Sequence, residues 1–350
     1  MTGDIKQTKE IMKSYLRFLS RNKLYTAIEV VGLSVALAFV LLIGSYVWQE
    51  YSISHENPEY ERIYIPTQSM PYGIYEPLKE QIPELEKITL INSHDDVVME
   101  SGEDRFVTRG LAVRGDFFDI FDYDFLVGDA DCLNSYTDIV ISETFATLLA
   151  GKPELAVGMQ ILPLDYTSEA YTVRGVIKDF DYHYWKYMDF ICKGESPINE
   201  SVQKNPVFTL SATAFIQVTE SINESELQGK IQTVFKYLWG DKMPADRIDQ
   251  FANRIGIERF DRLYFSGDYI DPYLNMGDRS QIIILLIVSL LLLVSAVINY
   301  INLNLALTNK RAKEMATRSL VGAEKVHIAV KYILESAAFT SVCSFMAVGI

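Results

Sequence analysis

The sequence predicts a membrane protein in which α-helical transmembrane segments carry a large α+β extracytoplasmic domain. Three observations lead there. Residues 280–309 carry no charge, residues 30–48 carry none, and the stretch between these two runs is long, aromatic and acidic. An uncharged run of about 20 residues is what a hydrocarbon core of about 30 Å requires of a helix.

Taken in order, the chain opens on a basic segment over residues 1–27. Ile11, Tyr15, Phe18 and Leu19 fall at i, i+4, i+7 and i+8, while Lys6, Lys9, Lys13, Arg17 and Arg21 supply charge. That is the pattern of an amphipathic helix lying at a membrane surface. Residues 28–48 form the first expected span, with Trp48 and Tyr51 where an interfacial aromatic belt belongs. A basic leader before an apolar run also fits a signal peptide. The run is too long for one, however, and its exit lacks a small-x-small cleavage pattern, which favours an uncleaved anchor.

Charge sets the expected orientation. Lys and Arg number six in residues 1–27 and six in 310–331, so both flanks read as cytoplasmic. Residues 49–279 hold the other twenty basic residues against forty acidic ones. The acidic segment is therefore expected outside, and its charge opposes nucleic-acid binding.

This segment is long enough for a proper core. Phe106–Val113, Asp138–Ser142, Ala170–Lys178 and Val207–Val218 read as strands, rich in β-branched residues between Gly, Asp and Pro. Glu143–Leu149 reads as a helix capped by Ser142. Ser225–Leu238 reads as another, with Leu227, Ile231, Val234, Phe235 and Leu238 along one stripe. Pro153–Tyr166 and the polar run Lys193–Asn205 interrupt the pattern, and the second suggests a lobe division near 190–206.

The second expected span covers 280–307. Fourteen of the seventeen residues from Ile282 to Ile298 are Ile, Leu or Val, which favours insertion by roughly 6 kcal/mol. Its excess length is expected to emerge as a polar-capped helix end around Asn299–Asn304. A basic stretch, residues 308–332, follows. In it Arg311, Glu314 and Arg318 share about 60° of arc, and Gly322 is the expected helix stop. Simple positive-inside anchoring and a docking surface fit that stretch equally. Residues 333–350 read as the start of a third span, expected to continue past Ile350. In the first two spans charge is confined to Glu29, near the expected cytoplasmic edge.

Catalytic signatures are missing. There is no phosphate loop and no Gly-x-Gly-x-x-Gly after a strand. Nor is there a nucleophile elbow, and His55, His94, His183 and His327 lack zinc spacing. No cofactor, metal ligand or catalytic residue is assigned, and any ATP is expected on a partner. His94-Asp-Asp96 admits a weak cation site, with an exposed polar turn the plainer reading. The aromatic run Phe180–Phe190 admits a ligand platform, with packing the plainer reading. Cys132 and Cys192 could bond in an oxidising compartment.

These residues carry a resemblance. Tyr15-Leu-Arg-Phe-Leu-Ser-Arg-Asn-Lys-Leu-Tyr25 with Val31-Gly-Leu-Ser-Val-Ala-Leu37 is similar to the first span of FtsX/MacB-type ABC transporter permeases, in the duplicated form common among Bacteroidetes. Glu61–Tyr64, Asp116–Phe121 with Gly128-Asp129, Ile139–Glu143, Gly175–Phe180 and Arg259–Tyr264 match in order. The most specific match is Asn299-Tyr-Ile-Asn302 followed by Lys310-Arg-Ala-Lys-Glu314 and Arg318-Ser-Leu-Val-Gly-Ala323. Ala316-Thr-Arg-Ser319 stands where the family usually has Gly-Ile-Arg-Lys.

The resemblance implies an FtsX-like permease domain from about 285 onward and a two-lobed MacB-like periplasmic core domain. It implies a multi-pass inner-membrane protein with a cytoplasmic N-terminus. Lys310, Arg311, Lys313, Glu314, Arg318, Gly322 and Ala323 would then couple to a separate cytoplasmic ABC ATPase. The other implied partners are a second permease copy or duplicated half, a periplasmic adaptor and membrane lipid. The implied function is mechanotransmission for export or efflux, with regulation of periplasmic cell-wall hydrolases or, further off, membrane-anchored sensing as the alternatives.

Overall fold

The computed structural model describes Ser20 and residues 23–53, 58–164, 169–179, 185–194, 211–220, 222–240, 242–266, 274–306 and 325–349. Contacts divide the chain into two units, one of Met1–Tyr51 with Asp278–Ile350 and one of Ser52–Gly277.

The Ser52–Gly277 unit is built on an eleven-stranded sheet. Its strands are β1 (Ile63–Pro66), β2 (Met70–Pro71), β3 (Leu85–Ser101), β4 (Asp104–Gly115), β5 (Phe125–Val127), β6 (Asp138–Ser142), β7 (Gln160–Pro163), β8 (Tyr171–Ile177), β9 (Phe190–Lys193), β10 (Ser211–Val218) and β11 (Ile257–Arg259). The main path runs β11-β1-β10-β3-β4-β9-β6-β8-β5, with β2 on β10 and β7 bridging β3 and β8. Pairing is antiparallel except for β4 with β9 and β6 with β8.

Side chains alternate faces along each strand, and here the alternation sorts residues into separate cores. Phe215, Leu111, Val113, Val140 and Ile191 point to one face and join a single cluster across the sheet. Their neighbours point to the other face, which is divided. Ala214, Ile216, Ile88 and Leu90 pack beneath helix Glu224–Trp239 with its Leu227, Ile231 and Val234. Ile139, Ile141, Val173 and Cys192 pack beneath helix Glu143–Ala150 and the short helix Pro153–Ala156.

The expected strands at 106–113, 138–142 and 170–178 appear as β4, β6 and β8, and β10 is the described part of 207–218. The expected helices at 143–149 and 225–238 appear with one or two residues added. Two expectations need correction. The Pro153–Tyr166 stretch is not a break, since it supplies a helical turn and then β7, which closes on β3 and β8. His94-Asp-Asp96, expected as an exposed polar turn, keeps Asp95 and Asp96 exposed but is not a turn. It is a bulge inside the 17-residue β3, where the register to β4 shifts between His94 and Val97 and Asp96 takes φ 54°. The lobe division expected near 190–206 begins in β9, inside the sheet, and residues 195–210 lie outside the described residues.

The other unit contains three long helices, α1 (Lys23–Ile53), α9 (Arg279–Ala306) and α10 (Lys325–Val348). The labels α2 to α8 denote, in order, Tyr75–Gln81, Phe117–Ile120, Glu143–Ala150, Pro153–Ala156, Glu224–Trp239, Ala245–Ala252 and Phe260–Leu263. α1 and α9 are long and apolar enough to cross a membrane, and Tyr332–Val348 of α10 is a shorter apolar helix. Leu42, Ile284, Leu290 and Leu291 are exposed on their outer faces, as suits helices solvated by lipid. α1 extends beyond the expected 28–48 at both ends. α10 starts at Lys325, inside the stretch expected as cytoplasmic, because a helix can continue past the hydrocarbon into water.

Candidate functional site

The three long helices meet where small residues mix with larger apolar ones. Leu33 and Ala36 of α1, Ala296 of α9, and Phe339 and Cys343 of α10 form one buried cluster, with Val30, Leu37 and Tyr300 packed against it. On each helix these positions recur at spacings of three, four or seven, so they form one stripe. Without a hydrophobic force between helices in lipid, small residues matter because they let backbones approach. Gly32 illustrates this: a Cβ there would stand 3.3 Å from Asn299 Nδ2, so the Asn299 amide lies against the α1 backbone.

One residue further on, the Tyr300 hydroxyl and the Ser336 hydroxyl stand 2.7 Å apart, linking α9 to α10. The Tyr300 and Phe339 rings are also neighbours, with centroids 6.4 Å apart. Asn299 and Tyr300 therefore do not cap an emerging helix end. α9 continues to Ala306, and both side chains turn toward the other two helices. Glu29 of α1 and Glu335 of α10 are both buried, at 8% and 5% exposed, and both engage other groups.

The expected coupling residues Lys310, Arg311, Lys313, Glu314, Arg318, Gly322 and Ala323 lie outside the described residues, as does the amphipathic segment up to residue 19. Chain order places the coupling stretch between the end of α9 and the start of α10.

In the Ser52–Gly277 unit, a cleft of about 730 Å³ opens between α2, the β4–α3 junction and the 130–134 loop. Glu76, Lys79, Asp116, Asp119, Asp131 and Lys193 line it. Much of this charge is already committed. Lys79 Nζ is 4.0 Å from Asp116, whose carboxylate accepts the Ile88 N–H. Glu76 faces Arg114, whose buried guanidinium lies 4.5 Å from the Tyr75 ring centroid and donates to the Tyr72 carbonyl. Such a stacked, paired arginine welds α2 to the end of β4.

The remaining candidate residues are structural where they are described. Trp185 is buried among Phe117, Phe121 and Phe215, which favours packing over a ligand platform, while residues 180–184 lie outside the described residues. Asp179 accepts from the Thr144 N–H and hydroxyl at the start of α4. Asp95 pairs with Arg109 at 2.6 Å. Cys132 and Cys192 are free thiols, and burial pushes them up to about 11 and about 12. Among the described residues no group of three or more His, Cys, Asp or Glu could hold a metal ion.

Two family models match the chain. The MacB-like periplasmic core domain covers residues 26–249, and the FtsX-like permease C-terminal domain covers 286–350. Similar solved structures include a domain of a putative permease protein from Porphyromonas gingivalis, with 17% identity over 63% of this chain and 93% of that one and a TM-score of 0.46. The periplasmic region of MacB from Actinobacillus actinomycetemcomitans is 14% identical over 55% of this chain and 92% of that one, TM-score 0.38. The extracellular domain of the noncanonic ABC-type transporter YknZ from Gram-positive bacteria is 12% identical over 53% and 88%, TM-score 0.38. A comparison with curated proteins returned no match.

Proposed function

The chain belongs to the FtsX/MacB-type family of ABC transporter permeases, and from that premise we propose that it is a mechanotransmission subunit. Permeases of this family sit in the inner membrane with a periplasmic domain and work with an ATPase on a separate subunit. In our reading the N-terminus and residues 308–332 are cytoplasmic, and Ser52–Gly277 is periplasmic. A cytoplasmic ATPase docks on Lys310, Arg311, Lys313, Glu314 and Arg318, with Gly322 and Ala323 at the end of the contact. Its ATP-driven closure moves α9 and α10, and α1 and α9 carry the motion to the periplasmic domain for export. The chain itself hydrolyses nothing, and a second permease copy and a periplasmic adaptor complete the assembly.

The observation that carries this reading is the packing of α9 with α10. The coupling stretch joins two helices that share a core and a hydrogen bond, so a force on that stretch reaches both. The reading is tested by Glu314→Lys combined with Arg318→Glu. We expect normal membrane insertion with loss of permease-dependent stimulation of the partner ATPase. Undiminished stimulation in the double variant counts against docking at this stretch.

A further inference from the structure

We propose that Asn299 and Tyr300 form a clasp that makes the three helices move as one body when the coupling stretch is pushed. The proposal rests on the reading of 308–332 as the ATPase contact. Consecutive helix residues point about 100° apart, so two adjacent polar side chains can address two different partners. Here they do. The Asn299 amide lies against Gly32 of α1, and the Tyr300 hydroxyl meets Ser336 of α10. The neighbouring apolar contacts, Ala296 one turn before and Phe339 one turn after Ser336, fix the same interface from the other side.

Position gives the clasp its mechanical role. Tyr300 lies six residues before the end of α9 and Ser336 eleven residues after the start of α10. At 1.5 Å per residue these arms are about 9 Å and about 17 Å long. The tie therefore sits at a neck near the two helix ends that the coupling stretch joins in chain order. Without a tie, a push on that stretch spreads the two arms and dissipates in lipid. With the neck fastened, and α1 held to the same point through Gly32, the push becomes rigid-body displacement. A polar bond suits this task because in hydrocarbon its hydroxyls have no water to exchange with. It specifies one register where a leucine seam allows sliding. Asn299 and Tyr300 are thus positioning residues, acting through α1 and α10 and not through any ligand.

The experiment uses the full chain in nanodiscs, alone and with its co-purified ATPase, with Cys132 replaced by serine. Nitroxides are placed at Ile301→Cys and Ile333→Cys, both exposed on their helices, and the distance between them is measured by pulsed electron resonance. We expect one narrow distance without nucleotide, unchanged after vanadate trapping with ATP. Tyr300→Phe and Ser336→Ala should each broaden it equally, and the double variant should broaden it no further, while Ser336→Thr, which keeps a hydroxyl, should restore the narrow distance. A distance that stays narrow in Tyr300→Phe overturns the clasp, as does a native pair that separates on trapping. Failure of the ATPase to co-purify overturns the coupling reading instead, and the nucleotide-free distances still decide whether the bond holds the neck.

Discussion

The indole of Trp185 stands perpendicular to the ring of Phe121, with centroids 5.1 Å apart and planes at 90°. Edge-to-face contact sets the positive rim of one ring against the negative face of the other. Phe215 and Phe117 close around the same indole at 5.4 Å and 6.0 Å. Trp185 also pairs through its backbone with Leu274, and its carbonyl accepts from the Asn275 amide. Truncation to Ala should cost about 3–5 kcal/mol, a large share of the 5–15 kcal/mol typical of a domain. The expected outcome of Trp185→Ala is loss of cooperative thermal unfolding of the periplasmic domain, with Trp185→Phe intermediate. An Ala variant that melts like the native protein would return Trp185 to the ligand-platform reading.

Gly115 ends β4 at φ +90°. A methyl group there would meet the Ile88 carbonyl oxygen and the Tyr75 ring, the ring on which Arg114 is stacked. Gly115→Ala therefore combines a left-handed backbone cost of about 1–2 kcal/mol with overpacking of about 1–3 kcal/mol. We expect a lower denaturant midpoint with unchanged slope. Gly102→Ala, also at positive φ but with open space around it, should show only the first cost.

Ser142 caps α4 by accepting the Phe145 N–H at 3.1 Å, and its hydroxyl also lies 3.2 Å from that of Tyr187. Burial first, with Asp189 nearby, pushes the Tyr187 hydroxyl up to about 12, so it stays protonated as a hydrogen-bonding partner. Ser142→Ala should cost about 1 kcal/mol, while Ser142→Asp retains the cap. Chemical denaturation of the two variants checks this, and an Ala variant no less stable than the Asp one rules out a capping role.

How much of this was legible in the sequence depended on whether local pattern or remote partners set the outcome. The cap at Ser142 and the stripe Leu227, Ile231, Val234 were legible because cap and helix face are fixed within one or two turns. β3 was not, because His94-Asp-Asp96 reads as an exposed polar turn. Only the pairing of residues on both sides with β4 shows that the strand bulges and continues. The aromatic run around Trp185 was ambiguous because its partners, Phe121 and Phe215, are far away in sequence. Likewise Asn299 and Tyr300 stood out as polar residues after an apolar run. Their direction depended on Gly32 and Ser336, which only the folded helices bring near.

The bulge in β3 also makes a pH prediction. Burial lowers the His94 imidazole below its ordinary value, so folding favours the neutral ring. Between the folded and unfolded values the unfolded chain binds more protons, and stability there rises with pH. The contribution is therefore present above about pH 6.5, the unfolded value, and is lost as pH falls through the folded one. Asp189, raised chiefly by burial, has the opposite sign and acts in the more acidic range above its ordinary value. Asp95, the next residue of the bulge, is paired with Arg109 at 2.6 Å. Comparison with His94→Gln isolates the histidine, because Gln keeps a polar side chain that does not titrate. The full chain in detergent should lose thermal stability from pH 7 to pH 5 more steeply than His94→Gln does, followed by tryptophan fluorescence. Parallel curves for the two proteins would show that His94 is solvated and that the bulge carries no pH dependence.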